Sequence, residues 1–358
     1  MEEKRILFTG GGTAGHVIVN TALIPYFHKS GWKIDYIGSI SGIERELISS
    51  FEYVTYHPIS TGKLRRYLSI ENFKDPFKIL KGVFQSWRIL GRRKPHVIFS
   101  KGGFVSVPVS FAGWLRGVPI ITHESDFTPG LANRLATPFS KRILTTFPET
   151  MNYLPVKKTT NVGAVVRKEL LEGSQEKGYQ FTKLNEKKPV ILIMGGSGGS
   201  RIINETIRKN LSTLLINYQI IHICGNDGVD ETIEREGYVQ YKYVNDELKY
   251  IYAITDYIIS RAGSNAIFEF LALNIPMLLI PLTHGASRGD QIVNARSFEK
   301  QGYAQVLEED KLSGENLLKS IDDLVLNSPK MLDKMRANET VDSFNKVIDI
   351  IEEGAKKH

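Results

Sequence analysis

The residues best suited to chemistry begin with Gly10-Gly11-Gly12-Thr13-Ala14-Gly15-His16. Gly10, Gly12 and Gly15 satisfy G-x-G-x-x-G between a short apolar run and an amphipathic stretch. Backbone amides that open a helix, together with the helix dipole, favour an anion at such a turn. His16 could take up a proton near neutral pH, or it could cap or pack the helix start; the motif alone leaves both readings open. A second turn, Gly195-Gly196-Ser197-Gly198-Gly199-Ser200, repeats the arrangement, with Ser197 able to donate to a phosphate. A tight strand-to-helix turn is the commoner meaning of a glycine cluster. Two of them, at equivalent places in two halves, favour ligand binding.

Further on, residues 256–264 read as a strand ending at Gly263, and Ser264 and Asn265 suit the start of a helix. Glu269 then lies about one and a half turns inside that helix. A carboxylate there could accept hydrogen bonds from ribose hydroxyls, although a glutamate on a helix ordinarily faces solvent. In the polar loop 283–291, Asp290 and Gln291 could hold sugar hydroxyls or act only as helix-start residues. No Asp-x-Asp, His-Glu-x-x-His or paired-cysteine motif is present. No metal and no other cofactor is therefore expected, and Arg167 and Arg201 are candidates to neutralise phosphate. The first glycine motif would also suit a nicotinamide cofactor, but such a site wants an acid at the end of the second strand. The run Lys33–Gly38 has Asp35 inside it and ends at Gly38 and Ser39.

These residues need a framework of strands and helices. Short runs that are apolar throughout, 5–9, 33–37, 96–100, 118–122 and 141–145, read as strands of a parallel sheet buried on both faces. Helices are expected near 16–29, 43–50, 75–91, 104–116 and 129–138. A second series has strands at 190–194, 219–224, 239–244, 256–260 and 277–280, with helices near 201–215, 246–254, 264–273, 290–301 and 314–327. The polar stretch 172–188 between the series reads as part of a domain junction. The alternation predicts an α/β architecture of two doubly wound domains, with both glycine turns on a cleft. The expected domains are 1–163 and 164–340, with 341–358 a C-terminal helix able to pack back on the first. A chain of 358 residues suits two domains. Its one cysteine, Cys224, lies in an apolar run and reads as a buried, inert thiol in a reducing compartment. Neither a signal-peptide core nor a run of ~20 apolar residues is present. The net charge of +7 points to a negatively charged partner without choosing one.

Several motifs together are more specific than any single turn. They are Gly11-Gly-Thr-Ala-Gly-His16, Lys101-Gly-Gly-Phe-Val-Ser106, His123-Glu124 with Pro129-Gly-Leu-Ala-Asn-Arg134, Gly195-Gly-Ser197, Ser260-Arg-Ala-Gly263 with Glu269, and Asp290-Gln291 followed by Asn294-Ala295. In this order, over nearly the whole chain, the sequence resembles the MurG family of bacterial UDP-N-acetylglucosamine transferases. The resemblance implies the GT-B fold, two Rossmann-like domains facing a cleft. It implies an inverting transfer of N-acetylglucosamine from UDP-N-acetylglucosamine to the 4-hydroxyl of undecaprenyl-pyrophosphoryl-N-acetylmuramoyl-pentapeptide (lipid I), giving lipid II for the cell wall. Carried over by position, Glu269 would bind the ribose and Val244 would meet uracil through its backbone. Ser197, Arg167 and the turn Gly263, Ser264, Asn265 would surround the diphosphate. Gln291 with Asp290 would bind the N-acetylglucosamine. Thr13 and His16 would face donor and acceptor, with Gly12, Ala14 and Gly15 beside them, and His16 would be the catalytic base. Asp126 and Asn133 would be further substrate-binding positions. Departures from the family pattern are Ala14 for a glycine, Val19 for a proline, Asp126 for an asparagine, Ala164-Val165 for Asn-Pro, Gly198 for a glutamine, and a sugar loop lengthened at Arg288-Gly289. Other readings are a related transferase acting on a lipid such as diacylglycerol, a nicotinamide oxidoreductase, and a non-catalytic UDP-sugar sensor.

Residues 73–93 add a surface. Phe77, Leu80, Phe84 and Trp87 recur at helical spacing among Lys74, Lys78, Lys81, Arg88, Arg92 and Arg93, and Trp114 can extend the patch. Such a helix can lie on an anionic bilayer, although an apolar stripe more often faces its own core; Ile79 and Val83 are expected to pack inward. With the lipid acceptor implied by the family, the expectation is a peripheral protein on the cytoplasmic side of the cell membrane, with cell-wall synthesis proteins as further partners. Nucleic acid is not expected, because no zinc-finger, RNA-binding or helix-turn-helix signature appears.

Overall fold

Ile6 and Phe8 face one side of their strand, Leu7 faces the other, and all three are fully buried. A strand apolar on both sides needs cover on both faces, and each half of the chain builds such a sheet. A computed structural model describes residues 3–62, 71–196, 198–283, 289–338 and 342–356, with side chains of the second segment described from residue 75. Two compact units divide the chain after Val165, and the C-terminal helix belongs to the first.

The first unit holds seven strands: β1 (Arg5–Thr9), β2 (Lys33–Ser39), β3 (Val54–Ile59), β4 (Val97–Ser100), β5 (Ile120–Glu124), β6 (Arg142–Thr145) and β7 (Thr159–Asn161). All pairings are parallel, in the order β3-β2-β1-β4-β5-β6-β7. Helices Ile18–Lys29 and Ser343–Ala355 cover one face through Leu23, Ile24, Phe27, Val347 and Ile351. Leu90, Val109 and Ala112, from helices Glu71–Arg93 and Ser106–Leu115, cover the other. Each large apolar side chain among these contributes ~1.5–3 kcal/mol by leaving water. The C-terminal helix is also tied by Lys346 Nζ, which donates to the Asn161 carbonyl at 2.7 Å.

The second unit holds β8 (Val190–Met194), β9 (Gln219–Ile223), β10 (Tyr238–Tyr241), β11 (Tyr257–Ser260), β12 (Met277–Leu279) and β13 (Ala304–Val306). These are again all parallel, in the order β10-β9-β8-β11-β12-β13. Strand order reverses beside β1 and β4 in the first sheet and beside β8 and β11 in the second. Ligands of doubly wound sheets bind beyond the carboxyl ends of strands at such a reversal, and each glycine turn follows one of these strands.

The structure adds elements to the expected series. β3 and β13 are edge strands, too polar or too short to stand out; Pro58 is tolerated in β3 because an edge strand leaves one side of its backbone unpaired. The stretch read as a junction contains the helix Gln175–Thr182, whose start Ser174 Oγ caps by accepting the Lys177 amide. A Cβ on Gly178 would collide with the Tyr250 carbonyl, so glycine permits this helix to lie close against helix Leu248–Ala253. The helix expected over 201–215 is two pieces, Arg201–Lys209 and Leu211–Asn217, and that expected over 314–327 runs on to Ala337.

Candidate functional site

In the first unit the loops beyond β1, β4 and β5 converge. A Cβ on Gly103 would collide with the Gly11 carbonyl, and one on Gly102 would lie 2.7 Å from Asn133 Oδ1. Gly102 and Gly103 also have positive φ, 98° and 78°, which disfavours any other residue. The sequence-expected residues Gly12, Thr13, Ala14, Gly15 and His16 lie on the β1 loop, and Asp126 and Asn133 lie beyond β5.

The β1 turn already holds an anion, and it belongs to the protein. Glu44, fully buried in the helix after β2, accepts the Gly12 amide at 3.1 Å and the Ser39 amide at 2.9 Å. Burial alone would raise its pKa. The Ser39 hydroxyl and the Gly12 and Ser39 amides overcome that and hold it below its usual value. An ionised carboxylate on the Gly12 amide repels a cofactor diphosphate at that point. The one acid of β2, Asp35, is equally unsuited to a ribose. It is fully buried, with His57 Nε2 and Arg93 Nε each at 2.7 Å and Arg5 Nη1 at 3.1 Å. The nicotinamide reading therefore lacks its partners. At the exposed tip of the turn, Thr13 Oγ1 and His16 Nδ1 are 3.0 Å apart, so the hydroxyl fixes the imidazole's orientation.

Beyond β5, Glu124 gathers its own loop. Oε1 accepts the Asp126 amide at 3.0 Å, and Oε2 accepts the Gly130 amide at 2.8 Å and Asn133 Nδ2 at 2.9 Å. Burial, then the neighbouring Asp126, pushes the Glu124 pKa up, against Lys101 and these donors. Asn133 differs from its expected part as a substrate ligand. It is buried, and its amide donates to Glu124 and to the His123 carbonyl at 3.2 Å, so it shapes the loop.

In the second unit, the turn after β8 has Gly196 and Gly199 at φ 90° and 76°. Ser197 lies outside the described residues. Arg261, buried after β11, donates to Ser200 Oγ at 2.7 Å and to the Ile280 carbonyl at 3.1 Å, and pairs with Glu309. It thereby ties the glycine turn to the loop that follows β12. Gly263 caps helix Ser264–Ala272, and a Cβ built on it would meet open space; Ser264 and Asn265 form the helix's first turn.

Glu269 is 5% exposed, which removes the solvent-facing reading. Arg167 clasps it with two hydrogen bonds, Nε to Oε1 at 3.0 Å and Nη2 to Oε2 at 3.2 Å. Burial raises the Glu269 pKa, and Arg167 opposes the rise. Arg167 was expected at a diphosphate; here its guanidinium orients the carboxylate, because a buried carboxylate needs a paired cation. Val244 is buried after β10. Gln291 Oε1 accepts the Leu282 amide at 3.1 Å, holding the strand end against the start of helix Asp290–Gln301, where Asp290 is the first residue. Arg201, the other expected phosphate ligand, pairs with Glu205 at 2.7 Å on the helix surface.

A separate surface lies on helix Glu71–Arg93. Phe77, Leu80, Phe84 and Trp87 are 75%, 65%, 61% and 40% exposed, and Trp114 is 53% exposed. The inward face carries Gly82, Ser86 and Leu90, with Ile79 and Val83 half-buried. Lys78 pairs with Asp75 and Arg93 with Asp35, while Lys81, Arg88 and Arg92 are exposed. Arg116 stacks over Trp87 at 3.7 Å. No helix among the described residues is long and apolar enough to cross a membrane.

Sequence pattern alone assigns no role to Glu44, Lys101, Glu124 or Arg261. Lys101, Glu124 and Arg261 stand inside the motifs quoted above, so the signal was present as spacing but not as contact.

Comparison with known proteins agrees with this arrangement. Residues 6–145 match the glycosyltransferase family 28 N-terminal domain, and residues 190–352 match its C-terminal domain. The UDP-N-acetylglucosamine--N-acetylmuramyl-(pentapeptide) pyrophosphoryl-undecaprenol N-acetylglucosamine transferase of Oceanobacillus iheyensis is 60% identical over 349 residues, 98% of each chain. The protein of that name from Geobacillus kaustophilus is 53% identical over 354 residues, 99% of each chain. Among solved structures, Acinetobacter baumannii MurG matches with a TM-score of 0.76 at 23% identity, covering 98% of this chain and 99% of that one. The glycotransferase of kitacinnamycin matches at 0.75 and 14%, covering 99% and 100%. Likeness at these lower identities speaks for the fold.

Proposed function

The chain belongs to glycosyltransferase family 28, and from that premise we propose that it transfers N-acetylglucosamine from UDP-N-acetylglucosamine to the 4-hydroxyl of lipid I, making lipid II. The observation that carries this is 60% identity across 98% of a transferase named for that reaction. The acceptor oxygen attacks the anomeric carbon. The bond from that carbon to the diphosphate oxygen breaks, and UDP leaves with the electron pair as the configuration inverts. His16, oriented by Thr13, takes the hydroxyl proton.

The second unit binds the donor. Glu269 accepts from the ribose hydroxyls, using lone pairs that Arg167 leaves over. Amides at the start of helix Ser264–Ala272 and in the turn after β8 meet the diphosphate. Val244 meets uracil through its backbone, and Asp290 and Gln291 hold the sugar. The loops beyond β1 and β5, with Asp126, meet the acceptor. Incubation with UDP-N-acetylglucosamine and a soluble lipid I analogue should release UDP and yield the disaccharide product. Donor binding without product would leave only a sugar-nucleotide sensor.

The aromatic face of helix Glu71–Arg93 seats the protein on an anionic bilayer at the cytoplasmic side, where its lipid acceptor lies. Its exposed Phe77, Leu80, Phe84 and Trp87 support this, beside Lys81, Arg88 and Arg92, each worth about 1 kcal/mol near an anionic surface. Replacing Phe84 and Trp87 by serine should reduce sedimentation with anionic liposomes about tenfold or more, with little change in melting temperature, because both rings are largely solvated. Undiminished liposome binding would rule the face out.

A further inference from the structure

We propose that Lys101 is a positioning residue for the acceptor: from beyond β4 its ammonium holds Ser125 and balances the two flanking carboxylates, Glu124 and Asp126, and so sets the loop that meets the incoming sugar. This rests on the acceptor role just proposed for that loop.

Lys101 is only 2% exposed, and its Nζ donates to Ser125 Oγ. Ser125 is itself buried, between Glu124, which closes the loop through the Asp126 and Gly130 amides, and Asp126. A buried ammonium persists only where anions balance it, and these carboxylates are its balance. His123, fully buried in β5, also faces Lys101. Burial and the Lys101 charge hold the His123 pKa well below its usual value, so the imidazole stays neutral and adds no competing charge. On its other side Lys101 meets backbone: a Cβ built on Gly10 would lie 3.1 Å from Lys101 Cβ. Burial lowers the Lys101 pKa to about 8, with Glu124 and Asp126 opposing the fall. The ammonium is therefore present at neutral pH and lost as pH rises through about 8. Above that point the loop carries uncompensated negative charge.

The test is steady-state kinetics on the full chain, with donor and lipid I analogue varied separately from neutral to alkaline pH. Lys101→Met keeps the side chain's length and removes its charge. It should raise the acceptor KM about tenfold, within the range of coupling between neighbouring charged groups. The donor KM should stay within about twofold, and the alkaline fall in acceptor kcat/KM should disappear. Adding Asp126→Asn to that variant should bring the acceptor KM back toward wild type by restoring charge balance, which a packing role for Lys101 would not do. Asp126→Asn alone should move the alkaline fall to lower pH, because the ammonium loses one stabilising anion. An unchanged acceptor KM with the alkaline fall retained, an equal rise in donor KM, or no rescue by Asp126→Asn each overturns the proposal. If Lys101→Met does not fold, the single Asp126→Asn variant decides, and an unmoved alkaline fall counts against the proposal. A wild-type protein that forms no disaccharide would instead sink the transferase reading.

Discussion

Replacing Glu269 by alanine should weaken binding of UDP-N-acetylglucosamine by about 10- to 150-fold, the size of a lost hydrogen bond to a charged group. The same change removes the partner of Arg167, whose side chain is only 22% exposed. Breaking a buried pair from one side costs about 3–5 kcal/mol of stability. A melting curve must therefore accompany calorimetric titration with UDP, and Glu269→Gln separates the two effects by keeping volume and one acceptor oxygen. Arg167→Met then distinguishes two roles. If Arg167 serves by orienting Glu269, its loss and that of Glu269 are not additive, and the double variant binds no worse than Glu269→Gln. If it contacts the diphosphate directly, the losses add. A Glu269→Ala protein that is folded and binds UDP as tightly as wild type would remove Glu269 from the ribose.

Much of this framework was legible in the chain because strands buried on both faces have to be apolar throughout. Ile6-Leu7-Phe8 and Val190–Met194 announce themselves in that way, and the glycines that follow mark the strand ends. Contacts across sequence were not legible. Arg167 and Glu269 are 102 positions apart. Glu44 reaches Gly12 across 32, and nothing in Gly42-Ile43-Glu44 indicates that its carboxylate turns inward. Edge strands were missed for a related reason: β3 and β13 are covered less completely and need less apolar character. The helix Glu71–Arg93 posed a different difficulty. An aromatic stripe at helical spacing has the same pattern whether it faces a core or a bilayer. What separates them is the opposite face. A Cβ on Gly82 would collide with the Ser60 carbonyl, so this face lies against backbone, and Ser86 and Leu90 are buried with it. Small residues there let the helix dock, leaving the rings outside.

His16→Ala should lower kcat about 10²- to 10⁴-fold, the usual contribution of a positioned general base, and leave UDP affinity unchanged. What matters is which ring nitrogen carries the proton. When Nδ1 donates to Thr13 Oγ1 at 3.0 Å, Nε2 holds the lone pair that can accept from an attacking hydroxyl. Thr13 therefore acts through His16. Thr13→Val should cost only the bias toward that tautomer, about fivefold for a net hydrogen bond of about 1 kcal/mol. It should cost nothing further when His16 is already alanine, because its sole route to the reaction is gone. Equal losses from the two single variants would mean that Thr13 touches substrate itself. Wild-type turnover in His16→Ala would move the base elsewhere, and the next candidate is then Asp126, whose charge balance with Lys101 would make the proton acceptor pH-dependent as well.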